Sequence, residues 1–536
     1  MEGGRVKRIY SIENEYGSIA VKFADGSYHS DISEGTQWKR DMLANIISPK
    51  WLMEGSHLNF EFMKNGGRVY LDLGHIEYAA PECTTPEDAV AAELAGGELL
   101  AENLIDKNFR LILIKDNIAL KKFEVSDRDY GNTGDYSALL ASYVYDAEQK
   151  LATCGCHENY SVDLDRVAKL TRSPLLQKDE TRFQSVHADY LANKLSTFLI
   201  TRQIFAGAGT FYFGRPAISV RNLFIDELHG NITTTHKSIV NTKNEPHGTV
   251  SRLHLILGDG NMAEVASFLK LGTTGLVLRL LEDNKIDLSM ELENVADAVA
   301  LTKEIAFDRN CSARLLKMKN GDLLTACELQ RKFLDLAASH YPKESDSEEI
   351  RRSTEKVLEW WDYVLGRLES GAIKDLVGVL DWPTKFYLGE SLLKRYGIAM
   401  SDLPKAILQH EKRVEVADRL RLLEQRYHEL SENGLYARLK AKGGVTRIID
   451  PARIAYFKSC PPRETRAYGR GELLKFVESK HPEFSIRTIN WGEITLVRND
   501  ADGVVLDVFH LVMDDPFVPL TLQMENFLVK NGWRRE

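Results

Sequence analysis

The sequence predicts an α+β protein, with strands crowded into its first part, helices through its later half and a smaller segment at the end. Three observations point there. Arg68-Val69-Tyr70-Leu71-Asp72 alternates like a strand, so Arg68, Tyr70 and Asp72 share one face while Val69 and Leu71 share the other. From Leu323 to Leu439 the pattern is mainly helical, with charge-rich stripes such as Glu348–Leu368. Near Arg447–Lys458 the pattern changes again, which marks a boundary. At 536 residues and 43% hydrophobic content, the chain can bury a large core and is expected to form two or more domains.

Taken in order, Lys7 to about His29 reads as a hairpin turning at Asp25-Gly26. Within it, Ile12-Glu13-Asn14-Glu15-Tyr16 places Glu13 and Glu15 on one face. Arg40–Ile47 reads as a helix, and Leu58–Met63 and Arg68–Leu73 as strands. After a turn at Gly74, Glu77 adds a further carboxylate. Carboxylates on neighbouring strands repel unless cations lie between them, and hard oxygen ligands suit Mg²⁺ carrying nucleotide phosphates. Pro86–Leu104 is a helix opened by Thr84-Thr85-Pro86, with Glu87 and Asp88 in its first turn. Arg110–Ile114 reads as a short buried strand, and the polar stretch Lys115–Ala152 as an insertion.

Cys154-Gly155-Cys156-His157-Glu158-Asn159-Tyr160 carries a Cys-x-Cys-His cluster, but no second ligand cluster stands at zinc spacing. Read as a strand, His157 and Asn159 share a face, which suits a metal ligand beside a nucleotide-facing amide. Arg252 and His254 share a strand face likewise, one able to hold phosphate and the other a metal. Gly207-Ala208-Gly209 is by itself weak evidence for phosphate binding. Trp360-Trp361 and the aromatics near Trp382 read as packing rather than as a ligand cage.

Composition excludes several classes. Six cysteines without small-domain spacing imply a reducing cytoplasm. No apolar leader and no run long enough to span a bilayer stands in the sequence, so no membrane partner is expected. A formal charge of −9 argues against general nucleic-acid binding.

The segments Ser11–Gly17, Tyr70–Cys83, Gly155–Tyr160, Ile239–Leu278, Asp381-Trp382-Pro383, Gly434–Leu439 and Thr465–Glu472 resemble the signatures of the Pup ligase and depupylase family. That family attaches or removes the small bacterial protein tag Pup and belongs to the glutamine-synthetase-like carboxylate-amine ligases. The resemblance covers nearly the whole chain, with 115–152 as the main exception. It implies a glutamine-synthetase-like large domain over residues 1–450, built on a curved antiparallel sheet with helices, and a small C-terminal α/β domain over 451–536. It also implies Glu13, Tyr70, Glu77, His157 and His254 as Mg²⁺ ligands, Arg68, Asn159, Arg252 and Trp491 as ATP contacts, and Asp72 as the catalytic carboxylate. Trp491 is expected to begin a strand. The implied partners are a Pup-like modifier, itself acidic, and the proteins that carry or accept it.

Two branches share this inventory. In a ligase the tag's terminal glutamate becomes a γ-glutamyl phosphate and a carboxylate base deprotonates the incoming lysine. In a depupylase the same aspartate promotes cleavage of the isopeptide or terminal amide bond. Asp72 and Glu77 lie five positions apart, as in depupylases, and the reading leans to that branch. Cys156 and Thr201–Gly209 look ligase-like, and the long depupylase loop after the first strand is absent. Lys243 and Asn244 stand where both branches usually carry an arginine, and lysine lacks the bidentate fork. That departure keeps a nucleotide-binding pseudoenzyme open as a rival, alongside a small-molecule glutamate-amine ligase.

Overall fold

The computed structural model describes residues 7–22, 28–29, 60–72, 75–103, 109–115, 154–163, 180–211, 214–232, 236–241, 246–247, 250–480 and 483–533. The expected turn at Asp25-Gly26, the helix Arg40–Ile47, all of 115–152 beyond Lys115, and Lys243-Asn244 lie outside these residues.

The large sheet has 11 strands, and its main path runs β3-β4-β5-β1-β7-β11-β9-β8. The strands are β1 (Tyr10–Lys22), β2 (Tyr28–His29), β3 (Phe60–Phe62), β4 (Arg68–Asp72), β5 (His75–Ala79) and β6 (Phe109–Ile114). After them come β7 (Cys156–Val162), β8 (Glu227–Gly230), β9 (Ser238–Asn241), β10 (Pro246–His247) and β11 (Val250–Gly258). All pairings are antiparallel except β8 with β9. β1 is the long organising strand: its first half pairs β5 on one side and β7 on the other, and its second half pairs β6 and β2. The expected N-terminal hairpin is seen in the pairing of Ala20 with His29 and Val21 with Tyr28.

Four helices matter for the site: α1 (Pro86–Asn103), α2 (Glu180–Thr201), the short α3 (Gln203–Ala206) and α4 (Glu264–Glu282). Thr85 caps α1 through its hydroxyl, which accepts from the Asp88 amide at 3.2 Å. α4 is buried along its whole length, its charged residues being paired within the protein: Lys270 Nζ donates to the Asp259 carbonyl at 2.7 Å, and Glu282 meets Arg8 at 2.6 Å. Its N-terminal amides have no local cap. Asp381 Oδ1, from a distant helix, instead fixes the two residues that lead into α4, accepting from Met262 N at 3.1 Å and Ala263 N at 3.0 Å. This accounts for the aspartate of Asp381-Trp382-Pro383.

The main core gathers apolar side chains of the sheet's rear face, of α1, α2 and α4, and of the helical stretch that follows. Trp361 and Trp382 belong to it as packing: Trp361 meets Phe198 and Phe205 edge-on, and Trp382 Nε1 donates to the Ile204 carbonyl at 2.9 Å. The helix Pro451–Phe457 contributes Ile454 and Phe457 to this same core. A second, smaller core runs from Leu473 to Leu528 under a three-stranded antiparallel sheet, Phe484–Ile489, Glu493–Asn499 and Val505–Val512. The chain is therefore α+β, with a large mixed sheet flanked by helices and a small C-terminal sheet domain.

The two parts are joined by a buried clamp. Glu82, just after β5, takes Arg466 Nε at 2.7 Å and Arg470 Nη1 at 3.3 Å on Oε1, and Arg470 Nη2 on Oε2. Burial opposes its ionisation, yet Arg470 and Arg466 outweigh this and hold the Glu82 carboxyl down at about 2. Among the described residues no helix is long and apolar enough to cross a membrane.

Candidate active site

Period-two alternation decides which side chains meet. On β1, Glu13 and Glu15 face one way, while Ile12, Asn14 and Tyr16 are buried on the other. Because β1 lies between β5 and β7, Glu13 stands opposite His157 and Glu15 opposite Glu77. Asn159 pairs with His254 across β7 and β11, and Tyr70 pairs with Glu77 across β4 and β5. The result is one continuous polar row over five strands.

At its centre is Glu13. Its Oε1 accepts from Asn159 Nδ2 at 3.0 Å and from Arg252 Nη1 at 3.3 Å, and Arg252 Nη1 also reaches Asn159 Oδ1 at 2.9 Å. Its Oε2 lies 3.6 Å from His157 Nδ1 and 3.7 Å from His254 Nε2. Burial works against the carboxylate, but the neighbouring His157 and the charge of Arg252 outweigh it, so Glu13 stays below the ordinary carboxylate range. Ligand atoms of Glu13, His157 and His254 lie within 4.8 Å of one another, and so do those of Glu15, Asp72 and Glu77.

The second trio is electrostatically costly as it stands. Burial and the neighbouring carboxylates Glu15 and Glu13 push the carboxyls of Asp72 and Glu77 up. Tyr70 donates its hydroxyl to Glu77 Oε1 at 2.6 Å, and burial with the same acidic neighbours keeps it a phenol. His157 Nε2 is buried with no hydrogen-bond partner among the described residues, and a Cβ at Gly155 would lie 2.3 Å from it. Acids held above their usual range beside the imidazole of His157, whose Nδ1 faces Glu13 and Glu77, fit divalent cations, which relieve the repulsion. Arg68 lies 5.1 Å from the rings of Phe62 and Tyr70 at the other end of the row.

Beside the row opens a cleft lined by Ser11, Glu13, Asn159, Arg252, Arg466 and Trp491 among others, where an amide, guanidinium groups and an indole converge. Trp491 does not begin a strand, contrary to expectation. It sits in the turn before Glu493–Asn499, where Asn490 Oδ1 accepts from Gly492 N at 2.8 Å and Glu493 N at 2.9 Å. The Asn490 backbone amide also donates to the Glu493 carbonyl at 2.9 Å, so side chain and backbone close the turn together. The Trp491 ring lies 4.8 Å from the Arg470 guanidinium and meets Phe62 edge-on at 5.1 Å.

The structure thus brings Glu13, Tyr70, Asp72, Glu77, Asn159, His157, Arg252 and His254 into one row, with Arg68 at its end and Trp491 at its cleft. Sequence reasoning put Glu15 on the face of Glu13 without giving it a ligand role, and passed over His75. Glu15 closes the second trio, and its alternation with Glu13 was the available signal. His75 stands opposite Asp72 with Nδ1 3.6 Å from Glu15 Oε2, and its place two residues before Glu77 put it on the same face. Gly207-Ala208-Gly209 has another explanation than phosphate. Ala208 N donates to Asp259 Oδ2 at 2.7 Å, while Gly209, at φ +74°, has no room for a Cβ against Trp382. Nor do the cysteines form a zinc site: Cys156 faces away from His157 and takes Lys270 Nζ at 3.0 Å on its sulfur.

The model of the Pup-ligase protein family matches residues 8–495. The chain belongs to that family. Its relatives include a Pup–protein ligase of Acidimicrobium ferrooxidans, 32% identical over 95% of this chain and 96% of its own length. A Pup–protein ligase of Kribbella flavida is 31% identical over 93% of this chain and 95% of its own. Among solved structures, the Pup ligase PafA in complex with ADP superposes with a TM-score of 0.65 at 25% identity, covering 93% of this chain and 94% of PafA. PafA in complex with Pup gives a TM-score of 0.71 at 24% identity, over 98% and 92% of the two chains. The α+β architecture expected from the sequence is therefore the one this Pup-ligase family member has. These relatives are named as ligases, so the leaning toward the depupylase branch finds no support among them.

Proposed function

We propose that this chain is an ATP- and Mg²⁺-dependent ligase that joins the C-terminal glutamate of a Pup-like modifier to lysines of acceptor proteins. The observation that carries the reading is the pair of ligand trios set side by side along the row, next to a cleft floored by Asn159 and Arg252. Similarity to Pup–protein ligases over nearly the whole chain favours bond formation over cleavage.

In this reading Glu13, His157 and His254 hold one cation, while Glu77, Glu15 and the Tyr70 oxygen hold others. When bound, Mg²⁺ spreads the charge of the phosphate oxygens and of these acids. Arg252, Arg68 and Asn159 hold the phosphates of ATP, and Trp491 stacks the base. The side-chain carboxylate of the tag's terminal glutamate takes the γ-phosphoryl group of ATP, releasing ADP, and becomes an acyl phosphate. The acceptor lysine, losing its proton to Asp72, then displaces phosphate and forms the isopeptide bond. Asp72 suits this role because burial and Glu15 raise its proton affinity above that of a free carboxylate.

A paired assay tests the proposal. Purified enzyme with ATP·Mg²⁺ is given either free modifier ending in Glu with a lysine acceptor, or a preformed conjugate. New conjugate with stoichiometric ADP is expected; loss of conjugate without matching ATP use would overturn the ligase reading. Chelation by EDTA is expected to silence the reaction and Mg²⁺ to restore it. The five-position spacing of Asp72 and Glu77 favours the depupylase as second reading, and the conjugate arm decides it. Trp491→Ala is expected to raise KM for ATP about tenfold with kcat nearly unchanged, since stacking on one base is worth about 1–3 kcal/mol. Steady-state kinetics at varied ATP check this, and an unaltered KM removes Trp491 from the cleft's work.

A further inference from the structure

The segment Gly155–Tyr160 sends His157 and Asn159 to the site, but Glu158 and Tyr160 point the other way, into the core. Glu158 is fully buried and meets Arg202 fork to fork, Nη2 to Oε1 at 2.6 Å and Nη1 to Oε2 at 2.7 Å. The Tyr160 hydroxyl donates to Oε2 at 2.6 Å, and Arg202 Nη1 also donates to Thr274 Oγ1 at 2.6 Å. The clamp therefore ties β7 to the end of α2 and to the middle of α4.

A buried ion pair is a poor source of stability, because desolving both charges cancels much of their attraction, and apolar pairs of like volume often do as well. The ladder suggests another use. β7 pairs regularly with β11 from Val162 opposite Ser251 to Glu158 opposite Leu255, then the register shifts and Cys156 meets Gly258. That irregularity falls beside His157, where β1 alone keeps a regular ladder with β7, from Tyr10 opposite Tyr160 to Asn14 opposite Cys156. A slip of one residue there would turn His157 and Asn159 into the core. Glu158 stands at the last regular pair, and a Cβ at Gly258 would lie 2.7 Å from its Oε1, so clamp and bulge pack directly on one another.

We propose that Glu158 and Arg202 are positioning residues that keep His157 and Asn159 on the metal and nucleotide face by holding the register of β7. The inference rests on the site reading given above. Its test uses the full-length protein, with Mn²⁺ as the metal probe and ATP as the nucleotide. The Glu158→Met/Arg202→Met double variant removes both charges and leaves neither unpaired. It is expected to keep Tm within a few degrees of wild type, to bind Mn²⁺ at least tenfold more weakly, and to lose at least a hundredfold in kcat with KM for the acceptor unchanged. Arg202→Lys keeps the charge without the fork, and is expected to fall between the two in Mn²⁺ affinity and kcat. A folded double variant with wild-type Mn²⁺ affinity and kcat overturns the proposal. Should the double variant not fold, Arg202→Lys decides: wild-type affinity and kcat overturn the proposal, and losses at unchanged Tm support it. Failure of the wild-type protein to bind Mn²⁺ or ATP overturns the site reading itself, before any variant is compared.

Discussion

Asp72→Asn is expected to lower turnover by roughly 10²–10⁴-fold, the range a positioned general base supplies, while ATP binding stays within about twofold. Asn occupies the same volume but cannot take the lysine's proton. Folding should not suffer. Asp72 is only partly buried, and its carboxyl is pushed up by burial and by Glu15, so neutralising it relieves repulsion within the trio of Glu15, Asp72 and Glu77. Thermal unfolding is therefore expected to be unchanged or slightly shifted upward. Single-turnover conjugation and calorimetric ATP titration measure the two quantities. Turnover at the wild-type rate would remove Asp72 from the chemistry.

Glu82→Gln is expected to have the largest effect on stability, about 3–5 kcal/mol, because it leaves Arg466 and Arg470 buried around a neutral amide. The same change should raise KM for ATP, since Arg466 and Trp491 line the cleft and Arg470 Nη1 holds the Trp491 carbonyl at 2.9 Å. The acid dependence follows from the depressed carboxyl. Glu82 titrates at about 2 in the folded chain against an ordinary 4.5, so its contribution is complete above pH 4.5 and is lost as pH falls from there toward 2. Denaturant unfolding at pH 7 and at stepwise lower pH reads both effects. The wild-type and Glu82→Gln curves should converge on acidification, and a gap that stays constant down to pH 2 would refute the ion-pair account.

The family resemblance named the roles of Glu13, Tyr70, Glu77, His157 and His254, while their grouping was partly visible in the residues themselves. A strand repeats every two residues, so Arg68 with Tyr70 and Asp72, Glu13 with Glu15, His157 with Asn159, and Arg252 with His254 each had to share a face. The helix opened at Pro86 and the helical stretch after Leu323 were equally legible, since both rest on local composition and period.

Alternation does not say which strands are neighbours. That β1 lies between β5 and β7, so that Glu13 meets His157 and Glu15 meets Glu77, depends on long-range pairing. The same holds for the rear of the sheet. Glu158 and Arg202 are 44 positions apart, and Glu82 and Arg470 are 388 apart. Nothing local to a glutamate says whether water or a distant guanidinium will neutralise it. Trp491 shows the limit from the other side, for the turn closed by the side chain and backbone of Asn490 stands where a strand start was expected. By itself the sequence determined the α+β character and the faces on which its acids and histidines stand, because those follow from backbone period. Only the tertiary structure decided which faces adjoin and which buried charges clamp them, because the energies involved arise between residues far apart in the chain.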